Sequence, residues 1–191
     1  MSRENVDVVR QPLRVRPGAR RSWEGWLAVG FPRIAVFLWL TLNRVWRSLP
    51  PGSWLRRAMS RRYLRLGFEA YNRDDLQVAT MGFAPDGESI YGPGLVSIGS
   101  FDPVVRGPEA RRNAHRRWRA EWGDFRFEPE EVIDLADDRV LVVGRLAGIG
   151  SRSGATVDSD WALLLTFRGL LIREEAYLNR REALEAVGLR E

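Results

Sequence analysis

The sequence predicts an α+β fold with an antiparallel sheet, and three observations predict it. Helical patterns come first, and a run of strand patterns then fills Phe125 to Leu178. Consecutive strands are joined by short turns at Asp137-Asp138, Ser151–Gly154 and Arg168-Gly169, which suits hairpins. The last strand runs straight into a short closing helix, Arg180–Val187.

The elements follow in order. Residues 1–22 are polar and Arg-rich and read as a mobile arm. Pro32 can open a helix, because its missing N–H costs nothing in the first turn, and that helix extends to about Leu49. Pro50-Pro51-Gly52 ends it. Ser53 is a plausible N-cap for a second helix from Trp54 to about Asn72. This helix has two apolar stripes: Leu64, Phe68 and Tyr71, and roughly opposite, Leu55, Met59, Tyr63, Leu66 and Ala70. One stripe covers a sheet, so two imply burial on both sides. The economical partner for the second stripe is the helix at 32–49, and membrane contact is the rival. A short helix at Asp74–Met81 and a first strand at Phe83–Tyr91 come next. Gly92–Gly107 reads as loop and Pro108–Trp122 as helix. Strands are expected at Phe125–Leu135, Val140–Gly150, Val157–Phe167 and Leu170–Leu178. The domain division is therefore a basic arm at 1–22, a hydrophobic and basic helical extension at 23–60, and an α+β domain at 61–191.

Composition removes several chemistries. There is no Cys, which excludes disulfides, thiol catalysis and thiolate metal sites. All 30 basic residues are Arg, so no Lys can form a Schiff base. A single His and no clustered carboxylates leave no metal ligand set. Gly92-Pro93-Gly94 lacks the strand–helix setting of a phosphate loop, so no cofactor is expected. Charge is uneven: residues 1–65 carry 14 Arg against Glu4, Asp7 and Glu24, while the remainder is acidic. The acidic domain argues against nucleic acid. The basic first third suits an arm, a membrane surface or an intramolecular clasp. The apolar run Ile34–Leu42 has no cleavage site after it. As helix it spans about 13 Å, against about 30 Å for a bilayer core. A cytoplasmic protein, with membrane association as a variant of that reading, is expected.

Three stretches carry a family likeness: GFEAYNRDD at Gly67–Asp75, FDPVVRGPEARR at Phe101–Arg112 leading into HRRWRAEWGDFRFEPEEVID at His115–Asp134, and the WALLLTFRGLLIREEAYLNRREALEAVGL ending. In order and spacing they resemble the SnoaL-like, polyketide-cyclase-like branch of the nuclear transport factor 2-like superfamily. The resemblance covers about Tyr63–Leu189. It implies a cone-shaped, strongly curved sheet with covering helices, a small apolar ligand in the cone, and a homodimer. Relatives with cyclase activity carry an acid on the penultimate strand, whereas Ala162–Phe167 has none. MSRENVDVVR resembles the usual start, so residues 12–60 look like an insertion.

Glu175 and Tyr177 lie two apart on the last strand and share a face. Inside an apolar cone, the carboxyl would act as base beside a carbonyl while the phenol holds the oxyanion. The bland reading pairs Glu175 with Arg145 or Arg173. His115, the only histidine, lies beside Trp118 and Trp122 on one helix face and would act as acid or base near the mouth. Its bland reading is a partly exposed helix residue among arginines. Asp158 and Asp160 offer the missing acid or are solvated turn neighbours. Strand parity with Glu175 and the inward helix stripe line the cone with Tyr71, Trp118, Trp122, Leu163, Leu165, Glu175 and Tyr177. Two functions stay open. One is cofactor-independent acid–base chemistry of isomerase or cyclase type on a small apolar molecule. The other is a non-catalytic ligand-binding or dimerisation module, with residues 23–60 as a peripheral membrane contact.

Overall fold

The computed structural model describes residues 9–189, apart from 16, 17, 19, 99–101, 136 and 137. Along the chain run β1 (Val9–Pro12), α1 (Trp23–Gly30), α2 (Pro32–Ser48), α3 (Trp54–Asn72), α4 (Leu76–Ala79), β2 (Phe83–Tyr91) and α5 (Pro93–Ile98). Then follow β3 (Val104–Arg106), α6 (Gly107–Glu121), β4 (Arg126–Asp134), β5 (Arg139–Ile149), β6 (Thr156–Arg168), β7 (Leu170–Tyr177) and α7 (Arg180–Ala186). The strands form one curved, open sheet in the order β1-β4-β5-β6-β7-β2-β3. All neighbours are antiparallel except β2 and β7, which run parallel. A hairpin meander makes the antiparallel part. The long passage from β2 through α6 brings β7 beside β2 in the same direction.

Local chemistry sets the boundaries. Ser22 and Ser53 cap α1 and α3 by accepting from Gly25 N and Arg56 N, at 3.4 and 3.3 Å. Gly169 turns the β6–β7 hairpin at φ 80°, a region that favours glycine. At the irregularity between Pro129 and Glu131, β4 presses so close to β5 that a Cβ on Gly144 would sit 2.2 Å from the Glu128 carbonyl oxygen. Only glycine fits there, and the bulge helps bend the sheet.

Each face of the sheet has its own core. Leu64, Phe68, Trp118, Phe125, Leu163 and Leu165 belong to the inner one, beneath α3 and α6. Ile133, Leu141, Val143, Leu164, Ala183 and Leu184 form the outer one, where α7 lies against β6 and β7.

Several expectations change. Val9–Pro12 is an edge strand on β4 with Leu13 buried behind it, so this part of 1–22 is not a mobile arm. Residues 1–8 lie outside the described residues, as does Asp137 of the expected turn. The stretch Gly92–Gly107 carries α5 and β3 rather than loop alone. Trp23–Gly30 is a helix of its own, broken from α2 at Phe31. The boundary placed between 60 and 61 falls inside α3.

The extension is clasped to the domain by its first third's arginines. Arg56 reaches Asp134 on β4 with two bonds, 2.6 and 2.9 Å, and both side chains are buried. Trp46 stacks over that guanidinium at 4.2 Å and donates its indole N–H to Ser60 at 2.8 Å. Trp39 stacks on Tyr63 with centroids 3.9 Å apart. Arg47 bonds Asp138, and Arg21 bonds Asp75. Thus α2 meets the second stripe of α3 through Trp39 on Tyr63, while Met59 lines the space between the two helices and Leu55 is exposed. Among the described residues no helix is long and apolar enough to cross a membrane.

Candidate ligand sites

Register decides which acidic residue enters the cone. In the β6–β7 pair, Leu165 lies opposite Glu174, Leu164 opposite Glu175 and Leu163 opposite Ala176. Opposed residues share a face. Leu163 and Leu165 belong to the inner core and Leu164 to the outer, so Glu174 points in and Glu175 points out. The cause is a slip at Ile172: Phe167 pairs with Leu171, and Thr166 with Arg173. Leu171 before the slip and Glu174 after it both face inward, because one extra residue inverts the alternation.

α6 supplies the partner. Arg111 and His115 sit one turn apart on its buried face, with Trp118 one turn further. Arg111 Nε donates to Glu174 Oε1 at 3.2 Å, its Nη2 donates to Oε2, and Ser89 Oγ approaches Oε1 at 3.5 Å. The guanidinium also lies 4.8 Å from the Tyr71 ring centre and 5.1 Å from that of Phe83. His115 is 7% exposed, with its ring 4.8 Å from Tyr71. Its Nε2 accepts from Arg119 Nε at 3.3 Å. Burial first, then the charges of Arg119 and Arg111, push its pKa down to about 3, so the ring is neutral at physiological pH. Tyr71 Oη is buried without a hydrogen-bond partner. Burial beside Glu174 raises the Tyr91 phenol far above its ordinary range.

The space these groups leave is about 50 Å³. Small-molecule sites run to about 300–1,000 Å³, so the cone as it stands is packed with its own side chains. The carboxylate on the wall of this space, Glu174, is held at both oxygens by Arg111. An imidazole with a pKa near 3 is a weak base at neutral pH.

The model of the SnoaL-like domain matches residues 64–175, more than half of the chain. The chain belongs to the SnoaL-like family. No curated protein matches it. Solved structures share the fold at low identity. A nuclear transport factor 2-like protein of unknown function from Burkholderia pseudomallei is 20% identical with a TM-score of 0.56, covering 66% of this chain and 95% of that one. TerC, co-crystallised with polyporic acid, is 21% identical with a TM-score of 0.54 and the same coverage. A SnoaL-like polyketide cyclase from Jannaschia sp. is 21% identical with a TM-score of 0.51, covering 67% of this chain and 90% of that one.

Within this SnoaL-like domain, the expected site residues scatter. Tyr71, His115, Trp118 and Leu163 border the small cavity, and Tyr177 reaches its edge while packing on the outer core. Glu175 does not; it lies on the outer face, bonded by Arg173 Nε at 3.0 Å and by the Tyr177 hydroxyl at 3.2 Å. Burial, then Glu175, pushes the Tyr177 phenol up to about 12. Trp122 falls off the wall because α6 ends at Glu121 and Trp122 leaves the helical conformation, packing on Trp118. Leu165 faces inward within the filled core. Asp160 is exposed, and Asp158 takes a surface bridge from Arg145 at 2.6 Å. Arg111 and Glu174 are the groups the sequence reading missed. The buried face 111, 115, 118 was available from helix spacing. The inward turn of Glu174 was not, because a bulge leaves no mark in alternation.

A larger cavity of about 660 Å³ lies outside the SnoaL-like match for most of its wall, between α1 and α2 on one side and α3 and α4 on the other. Phe167 and Val140 form its floor from the sheet. Its lining is almost wholly apolar. The charged residues on it, Glu24 and Arg62, bond each other.

Proposed function

We propose that this SnoaL-like protein is a non-catalytic binding module for a small apolar molecule. The observation that carries the reading is the cone itself, 50 Å³ in volume with its inward carboxylate bound by Arg111. A base must be free to take a proton, and this one is engaged. The binding volume lies instead between the helical extension and the domain. That TerC, with the same fold, was crystallised with polyporic acid supports small-molecule binding as a use of such a scaffold.

The second reading keeps acid–base chemistry, with Glu175 as base, Tyr177 as oxyanion donor and His115 assisting. One observation favours it: Tyr177 borders the cone and is bonded to Glu175, so an acid and a phenol do stand together at its edge. Tyr71, Trp118 and Leu163 would then be ligand wall, with Trp122, Leu165 and Asp160 requiring rearrangement to join them.

Two measurements separate the readings. Titration with the apolar fluorophore N-phenyl-1-naphthylamine is expected to saturate at one probe per chain. Enolisable ketones incubated with the protein in deuterium oxide are expected to show no added exchange at the carbon beside the carbonyl. Absence of saturable binding overturns the first reading. Exchange lost in Glu175→Gln establishes the second.

Peripheral membrane contact through residues 23–60 belongs to the same proposal. It is supported by α2, whose Ile34, Phe37 and Val45 face solvent rather than the domain, with Leu38 and Leu42 exposed at the rim of the cavity. Trp23, Trp26 and Phe31 continue that surface. Arg33 and Arg44 border it, and Glu24, the one acidic residue between 21 and 66, is bonded by Arg62. Outward aromatics edged by arginine suit an anionic lipid interface. A second copy would bring the same positive charge, which favours an anionic lipid over self-association at this surface.

A further inference from the structure

A charged cleft opens beside the apolar surface of the extension. Arg21 and Trp26 border it from the extension, Arg73, Asp74 and Asp75 from the turn between α3 and α4, and Arg116 from α6. Its volume is about 510 Å³, within the range of about 300–1,000 Å³ that small-molecule sites occupy. The charges on its wall do not cancel, because three arginines stand against two aspartates. Asp75 is already engaged. Arg21 Nε and Arg73 Nη2 both reach its Oδ2, at 2.8 and 3.3 Å, and its side chain is 7% exposed. Asp74 stands beside a further arginine, Arg119, at 3.7 Å. Arg116 is exposed and donates to a neutral partner, the Asn113 amide oxygen, at 2.7 Å. The cleft therefore favours an anion. Guanidinium groups carry their donors in a planar fork that matches two oxygens of a phosphate.

Trp26 chooses a lipid over a free ion. It forms part of the cleft wall, its ring lies 4.9 Å from the Arg21 guanidinium, and it is 64% exposed. Trp23, three positions before it on α1, is also exposed, so both indoles lie on one outward face. Trp26 is thus the border between the cleft and the apolar surface that Phe31 and Phe37 continue. Tryptophan concentrates at the level of lipid head groups, where its ring meets chains and its N–H meets water. A phospholipid presents the same order, a phosphate next to apolar chains. A free phosphate ion makes no use of the exposed indoles.

We infer that this cleft holds the phosphate of a membrane phospholipid among Arg21, Arg73 and Arg116, with the chains running past Trp26 along the outer face of the extension. This rests on the reading that residues 23–60 contact a membrane, and it adds the group that is recognised. The family match begins at residue 64, so Arg21 and Trp26 are outside it, and the cleft forms where the extension lies against the domain.

The test is calorimetric titration of the full chain with dihexanoyl phosphatidic acid, kept below its micelle concentration, and separately with inorganic phosphate. The phosphatidic acid is expected to bind at one per chain, and inorganic phosphate, which lacks the chains, at least about tenfold more weakly. Arg116→Gln should weaken the phosphatidic acid about tenfold. Its melting temperature should stay at the wild-type value, since that side chain is exposed, so lost binding there is not lost fold. Trp26→Ala should weaken the phosphatidic acid and leave inorganic phosphate as it was. Arg181→Gln, an equal loss of charge on α7 at the other face of the sheet, should change neither. Inorganic phosphate binding as tightly as the phosphatidic acid makes this a site for the free ion and overturns the lipid assignment. Phosphatidic acid binding that Arg116→Gln does not alter overturns the cleft. If that variant still floats with phosphatidylserine vesicles as wild type does, the membrane reading stands without it. A full chain that neither floats nor binds the phosphatidic acid overturns both.

Discussion

Arg111 on α6 and Glu174 on β7 meet inside the curve of the sheet from 63 positions apart, at 6% and 4% exposure. The pair closes the cone that the family likeness leads one to expect open. A buried pair of this kind is costly to break from one side, because the remaining charge has no water to solvate it.

Glu174→Gln is therefore expected to lower unfolding free energy by about 3–5 kcal/mol. Glu175→Gln, whose side chain is 23% exposed beside Arg173, should cost less than about 1 kcal/mol. The double variant Arg111→Met with Glu174→Leu should recover most of the loss, since matched apolar groups remove both charges at once. Urea unfolding of the three proteins checks this. Equal costs at 174 and 175 would mean that the bulge at Ile172 does not invert the strand.

His115 should make stability fall with acid. Its pKa is about 3 in the fold against an ordinary 6.5, so the unfolded chain binds the proton first as pH drops. The neutral ring's contribution is complete above about pH 6.5 and is lost progressively toward pH 3. The slope is roughly 1.4 kcal/mol per pH unit at most. Carboxylates titrate in part of the same window, so the readout is the difference between wild type and His115→Gln. That difference should narrow steadily below pH 6.5, and a constant difference from pH 7 to 4 would contradict a buried, neutral imidazole.

The two faces of α2 should respond oppositely to truncation. Trp46→Ala removes a buried ring that stacks on Arg56, meets Phe167 at 5.8 Å and bonds Ser60. It is expected to cost about 3–5 kcal/mol. Phe37→Ala, at 67% exposure, should stay within about 0.5 kcal/mol. Deleting residues 1–52 removes β1 and α2 together and should lower the melting temperature and promote aggregation. An unchanged melting temperature would disprove the clasp.

Membrane contact is read by flotation. Wild type should float with vesicles containing phosphatidylserine and release at high salt, as screened basic contacts do. Phe37→Ser combined with Val45→Ser should stay at the bottom without loss of stability. If those substitutions instead convert a dimer to a monomer in ultracentrifugation, the outward face of α2 is a self-association surface.

How much of this was written in the sequence depends on the range of the interaction concerned. The α+β order, the strands from β4 to β7, α3 with its two stripes and the glycine turn at 169 are local matters of periodicity, capping and turn chemistry. They were legible for that reason. The short pieces were less so: β1, four residues, is held by β4 more than a hundred positions on, and β3, three residues, by β2, and no local pattern marks either. The site was legible only in part. Helix spacing places His115 and Trp118 on one buried face, and Arg111, one turn before His115, shares it. On β7 the shared face of Glu175 and Tyr177 follows from strand geometry alone. Which face that is depends on a one-residue slip against β6, set by pairing with another strand. Whether the cone is open, whether α2 turns its apolar side in or out, and where a ligand-sized volume remains are sums over side chains distant in sequence. Packing decides them, because each depends on volumes and charges that meet only when the chain has closed.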